Sequence, residues 1–292
     1  MSRKKLVEIF EKLNATDTEE IIKMSLGETL DMWKVILEWN ENKSIPAKID
    51  IDLGNLIHFY VVEYTCFSFS VNNKNICKET LLYSSLFAAI TNTVFTIWKL
   101  ASDGLDYSAK ILLRNLLELI LTTLTILLDK EKRIALMEFD LNKTDEVWYK
   151  HFSIKKMLST ISKCKQLEKT PFPEWVKAQY KNFSSYVHNN WGALLGFSRS
   201  VTDKKNNITH INICGNYATR AELLLSELAD ICCIFDLVFL SIYSDKKKDS
   251  NDTTFTVFLQ DDEPWQNAMY LSKLNILYHK EIFSKKTQND QL

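Results

Sequence analysis

Ile111-Leu112-Leu113-Arg114-Asn115-Leu116-Leu117-Glu118-Leu119-Ile120-Leu121-Thr122-Thr123-Leu124-Thr125-Ile126-Leu127-Leu128 is the longest apolar stretch of the chain. Its length suits a membrane span, but Arg114 and Glu118 stand inside it. An arginine at a bilayer centre costs roughly 2.5–3.5 kcal/mol on insertion scales. At about 100° per residue, Arg114, Glu118, Thr122, Thr125 and Asp129 fall on one narrow stripe. Leucine and isoleucine occupy the rest of the circumference. The stretch therefore reads as a central interior helix, Asp106 to Asp129. Ile231 to Tyr243 is too short to span a bilayer and contains Asp236. No membrane association is expected.

Helical periodicity continues on both sides. Met1 to Leu13 reads as a short helix, and Thr16 or Asp17 can cap a second running to about Asn42. Further helices are expected over Asp52 to Ser70, Lys78 to Ser102, Lys130 to Lys150 and Ile154 to Glu168, with Phe139, Trp148 and Tyr149 packing inward. Pro171-Phe172-Pro173 is the clearest break, and Pro173 with Glu174 opens a helix towards Asn189. Thr219 to Tyr243 is the last strong helix, and Pro264 to Phe283 a weaker one. Ile208, His210 and Asn212 alternate with Thr209, Ile211 and Ile213, which predicts a small hairpin arm, and Thr253 to Leu259 alternates like a strand. The expectation is an all-α bundle of about eight to ten helices with a small peripheral β element. Three regions are expected: a helical extension over residues 1–75 packed on the core, a helical core over 76–245, and a linker, short strand and C-terminal helix over 246–292.

Composition excludes several classes. Among 292 residues there are 6 glycines and 4 prolines, and no glycines cluster as a P-loop or dinucleotide fingerprint requires. Large sandwiches and barrels need more turn residues than this. With 46% hydrophobic and 25% charged residues the chain has the means for a sizeable core. A net charge of −1 gives no general basic field, so a nucleic-acid partner requires a local patch. The start, Met1-Ser2-Arg3-Lys4-Lys5, lacks an apolar run of signal-peptide length, and the 6 cysteines show no C-x-x-C pair. A cytoplasmic, reducing setting is expected. His210 and Cys214 lack a second pair at metal-site spacing, so no metal and no cofactor are expected. His58, among Ile57, Phe59 and Tyr60, reads as a core histidine; His151 and His279 read as exposed.

Two polar faces can carry chemistry. On the central helix, Arg114 and Glu118 form an i,i+4 pair with Lys110 one turn earlier. The stripe is either the wet edge of that helix or the wall of an internal cleft. On the helix after Pro173, Lys177, Lys181, Ser184 and His188 share one side, while Val176, Tyr180, Phe183 and Val187 line the neighbouring core side. Two ammonium groups, a hydroxyl and an imidazole in a row can hold a phosphate and move a proton beside it. The same spacing also fits a solvated face.

At these two faces the sequence resembles the HEPN-like superfamily, closest to a poorly characterised bacterial branch of large all-helical members. The residues that carry the resemblance are Ala109-Lys110-Ile111-Leu112-Leu113-Arg114-Asn115-Leu116-Leu117-Glu118 and Phe183-Ser184-Ser185-Tyr186-Val187-His188-Asn189, within a match from about Leu81 to Tyr243. The resemblance implies a helical, homodimeric protein that cleaves RNA without metal, in a toxin or anti-phage defence setting. It implies His188 as acid/base, Arg114 and Lys181 on the phosphate, and Glu118 and Asn189 orienting them. Lys110, Lys177, Asn182 and Ser184 then contribute to binding. The motif departs from the family where an arginine should precede the histidine: Lys181, followed by Asn182, stands there instead. Lysine neutralises phosphate charge without the planar two-pronged contact of arginine. The alternative is a non-catalytic helical module that binds a partner protein, such as an antitoxin, or a small anionic ligand in the same cleft.

Overall fold

The computed structural model describes residues 46–71, 76–138, 144–164, 167, 170–188, 199–203, 208–211, 215, 218–247 and 254–289, with Lys34, Val35 and Glu38. The helices expected over Met1 to Leu13 and up to Asn42 lie outside these residues apart from those three, which are helical. Asn189, Cys214 and Phe139 also lie outside them. The chain divides into two compact units, Met1–Ser44 and Ile45–Leu292, and the helices named below belong to the second.

Caps written in the sequence open several of the helices. Asp50 accepts the backbone N–H groups of Asp52 (2.9 Å) and Leu53 (3.1 Å), opening α1, Ile51–Phe69. Thr80 Oγ1 accepts the N–H of Cys77 at the start of α2, Lys78–Ser102. Gly104, at a φ of 74° that suits glycine, turns the chain into α3, Asp106–Leu128. Asp129 caps α4, Lys130–Met137, through the N–H of Lys132. A short α5, Thr144–Val147, runs into a π-turn, Trp148–Phe152, and then α6, Ile154–Ile161. Pro173 lies in the first turn of α7, Phe172–Val187. Backbone pairing links Arg199–Asp203 antiparallel to Ile208–Ile211. Last come α8, Ala221–Lys247, and α9, Glu263–Asn289, the latter capped by Asp262 on the N–H of Trp265. The protein is thus predominantly helical.

Two helices organise the packing. α3 touches α2, α6, α7 and α8, while α1 touches α2, α8 and α9. Both α2 and α3 are long and apolar enough to cross a membrane by length and composition. Within α3, however, 61% of the most apolar window is buried inside the bundle, as for a core helix. Phe67 of α1 anchors an aromatic centre, with its ring 5.1 Å from Phe87, 4.7 Å from Phe239 and 5.7 Å from Trp265. Gly215, at φ 76°, passes so close to the α2–α3 turn that a Cβ there would collide with the carbonyl of Asp103.

Within the unit Ile45–Leu292, α1 and α9 share one core with α2, α3 and α8. Several expectations change. The segment Thr254–Val257 is a turn, and Phe258 makes a single bridge to Val71. Phe255, Val257 and Phe258 are all buried, so the alternation of a half-exposed strand never arises: the turn plugs the aromatic centre. His58 is exposed, its ring edge-on to Trp98 at 4.9 Å, because it follows the buried Leu56 and Ile57 onto the outer face of α1. Tyr149 is exposed as well, since the π-turn swings it outward. His279 is half-buried and paired with Asp230.

Candidate functional site

The site-bearing halves of α3 and α7 pack antiparallel. Tyr107 donates its phenol O–H to the carbonyl of Tyr186 (2.8 Å). One turn on, Lys110 Nζ lies 5.1 Å from the centre of the Phe183 ring and 5.5 Å from that of Tyr186. A further turn on, Arg114 Nη2 donates to the Tyr180 hydroxyl at 2.7 Å, and the guanidinium stacks 4.7 Å over the same ring. Rising along α3 therefore means descending along α7.

Arg114 also donates through Nε to Glu118 Oε1 at 3.1 Å. The side chains of the pair are 18% and 24% exposed, so the stripe is neither a wet edge nor sealed. Glu118, Arg114 and Tyr180 form one hydrogen-bonded unit, and burial with the nearby Glu118 carboxylate pushes the Tyr180 phenol up from its ordinary range. Arg114 Nη1 is buried and finds no hydrogen-bond partner among the described residues. Further along, the stripe serves the fold. Thr122 donates to Met157 Sδ (3.6 Å), and Asp129 caps α4.

The remaining expected residues divide into two groups. Lys110 is buried and ion-paired with both carboxylate oxygens of Glu227, so it ties α3 to α8. Burial, more than Glu227 can offset, lowers its pKa. Lys177, Lys181 and Asn182 are exposed along α7. Ser184 is half-buried and donates its hydroxyl to the carbonyl of Tyr180 (2.5 Å). His188 is exposed at the C-cap of α7, where its backbone N–H reaches the carbonyl of Ser184. Eight residues of helix at 1.5 Å each set it about 12 Å along the axis from Tyr180. The structure unites Arg114 and Glu118 with Tyr180, and leaves His188 at the far end of the row.

A cavity of about 400 Å³ opens beside this unit, between α2 and α3. Asn115, Glu118 and Thr122 form its polar wall; Leu82, Leu86 and Trp148 stand among the apolar ones. A second cavity, of about 430 Å³, holds the His279–Asp230 pair (2.9 Å) and Cys233. Burial pushes the Cys233 thiol up to about 12, which keeps it protonated and unreactive. Among the described residues, no three His, Cys, Asp or Glu side chains stand together so as to hold a metal ion.

Spacing alone did not point to Tyr180, Glu227 or Trp148. Tyr180 reads as core because it follows the apolar period of α7, and a phenol differs from phenylalanine only where its hydroxyl finds a partner. Comparison of the chain with protein-family models, curated proteins and solved structures finds no match.

Proposed function

We propose that the chain is a helical module that binds an anionic ligand on the α3–α7 face, with Arg114 as the anchor and Lys177 and Lys181 as the approach. The observation that carries this reading is the Arg114–Glu118–Tyr180 unit. A guanidinium held on two sides and stacked on a ring is already ordered before a ligand arrives, which removes much of the entropic cost of binding. Lys177 and Lys181 stand one turn apart on the surface of the helix that carries Tyr180, so one extended polyanion can touch both. RNA is the polyanion that the HEPN-like resemblance implies.

A second reading, metal-independent cleavage of RNA in toxin or anti-phage defence, is favoured by the exposure of Lys181 and His188 on one side of α7, two turns apart. In that reading His188 moves the proton of the ribose hydroxyl, Lys181 and Arg114 hold the phosphate, and Glu118 and Asn189 orient them. The roughly 12 Å between His188 and the level of Arg114 weighs against a single apo active site and makes binding the first reading. Both readings take the protein to be a cytoplasmic homodimer. Exposed apolar residues such as Phe95, Leu237 and Leu277 offer contact area, and a 34.0 kDa species in sedimentation at micromolar concentration would exclude the dimer. The paired backbone of Arg199–Asp203 and Ile208–Ile211 supports a small peripheral β arm.

The test is fluorescence anisotropy with a labelled single-stranded RNA at low salt, in EDTA, with the RNA then run on a gel. Salt-sensitive binding that weakens about tenfold in Lys181→Ala supports the module. Cleavage in EDTA that disappears in His188→Ala promotes the second reading. Absence of both binding and cleavage refutes both.

A further inference from the structure

The cavity between α2 and α3 has a composition that selects a ligand. One wall offers the Asn115 amide and the Glu118 carboxylate, while the facing walls are leucines and the Trp148 indole. The hydroxyl of Thr122 is committed to Met157, so the edge chemistry falls to the first two. Glu118 is held by the Arg114 Nε–H through Oε1, and that bond fixes its side chain at the rim.

Charge narrows the choice further. An anion in the cavity would meet the Glu118 carboxylate at short range. A cation would compete with Arg114, which already neutralises that carboxylate. A neutral group with N–H donors meets neither obstacle, and a neutral donor to a carboxylate makes a stronger hydrogen bond than a neutral pair does. Shape narrows it again. The Trp148 ring stacks on Phe152 (5.8 Å between centroids, 29° between planes) while still 36% exposed, so a third flat ring can extend the stack. Leu82 and Leu86 supply apolar contact for the faces of that ring. A volume of about 400 Å³ admits a bicyclic ring with its first substituent.

We propose that this cavity binds a planar nitrogen heterocycle carrying an exocyclic amine, of the nucleobase class, with its amine donating to Glu118 and its ring on Trp148. The proposal deepens the reading given above and rests on it in one respect: a nucleotide unit would bring a phosphate to the lysine row and a base to the cavity. The base site itself requires no phosphate, which makes the two separable by experiment.

The experiment is isothermal titration of the full chain with adenosine, with uridine, which has no exocyclic amine and bears a carbonyl where cytidine bears one, and with toluene, which has no polar edge. Adenosine is expected to bind about tenfold more tightly than either, one charge-assisted hydrogen bond being the difference. Leu86→Trp and Leu82→Trp fill the cavity and are expected to abolish adenosine binding, with thermal melts confirming that each variant folds. Should either unfold, the preference for adenosine over uridine decides the matter in the wild-type chain. No heat at millimolar adenosine, equal affinity for uridine, or binding that survives both folded variants overturns the proposal. RNA binding through Lys181 without adenosine binding removes the base site and leaves the anion-binding reading intact. Adenosine binding without RNA binding does the reverse.

Discussion

Two polar clusters lie in one bundle and solve the problem of burial differently. Between α3 and α7, Arg114, Glu118 and Tyr180 match opposite charges at partial exposure beside a cavity. Among α1, α8 and α9, Glu63 and Asp236 are both fully buried and face each other. Ser272 Oγ (2.6 Å) and Asn275 Nδ2 (2.7 Å) donate to the two oxygens of Glu63, whereas among the described residues neither oxygen of Asp236 receives a donor. Besides these two donors, the groups that act on the pair among the described residues are Cys232 and Cys233, neither of them a cation. Burial drives both carboxyls up, which favours holding a proton between them over ionising both. A cluster that is charge-matched and half-open can exchange partners with a ligand. One that is sealed and held by a proton can only serve the fold.

If that contrast is right, the largest effect on stability comes from the sealed cluster. Glu63→Leu removes the acceptor shared by Ser272 and Asn275; Ser272 keeps the carbonyl of Ala268 (3.0 Å), but the buried Asn275 amide donor is stranded. At about 1–3 kcal/mol for a stranded buried donor, with the weakened hold on Ser272 added, the loss should be roughly 2–3 kcal/mol, read as a lower urea midpoint. A loss below about 1 kcal/mol would mean that water reaches these groups and that the two clusters are alike after all.

The pH dependence sharpens the same contrast. A carboxyl whose folded pKa lies above its unfolded value binds more protons in the native state, so stability is fully present below the ordinary carboxylate range and falls as pH rises through the gap. Glu63 and Asp236 both act in this direction. So does Asp106 at the start of α3, pushed up to about 7 by burial, against which Arg220 pulls down. Stability should therefore decline from about pH 4 to about pH 7, and Asp236→Asn, whose amide can still donate to Glu63, should flatten part of that slope. A profile that rises over this interval would show that the pair ionises freely.

Much of the fold is legible in the sequence, because helices that bury one face announce their period and their caps. The expected bounds of α2 match Lys78–Ser102, and those of α3 differ by one residue at Asp129. Half of the candidate site is legible too: the row Lys177, Lys181, Ser184, His188 is a matter of spacing on one helix. Partners on other helices are not, because periodicity defines a face without naming its neighbour. Lys110 looks like a surface ligand residue until Glu227, far along the chain, closes over it. Glu63 lies in the apolar stretch of α1, and nothing near it in sequence reveals that Asp236 is buried beside it. Phe255 and Phe258 look strand-like because alternation is judged locally, while their burial on both sides depends on Phe67, Phe239 and Trp265.

The smallest stability effect, and the most informative for function, belongs to the half-open cluster. Arg114→Ala removes one partner of a pair whose other member still reaches water, so Glu118 is not stranded and the loss should stay near 1 kcal/mol or less. It also removes a buried Nη1 that has no acceptor among the described residues, a group whose burial costs free energy in the wild type and whose loss offsets part of the missing contacts. RNA binding, by contrast, should weaken at least as much as in Lys181→Ala, because the anchor lost was ordered in advance by Tyr180 and Glu118. Urea titration and anisotropy on the same variant test the two halves together. A variant that melts several kcal/mol earlier but binds RNA unchanged would make Arg114 a structural tie like Lys110, and the α3–α7 face would lose its claim to be a site.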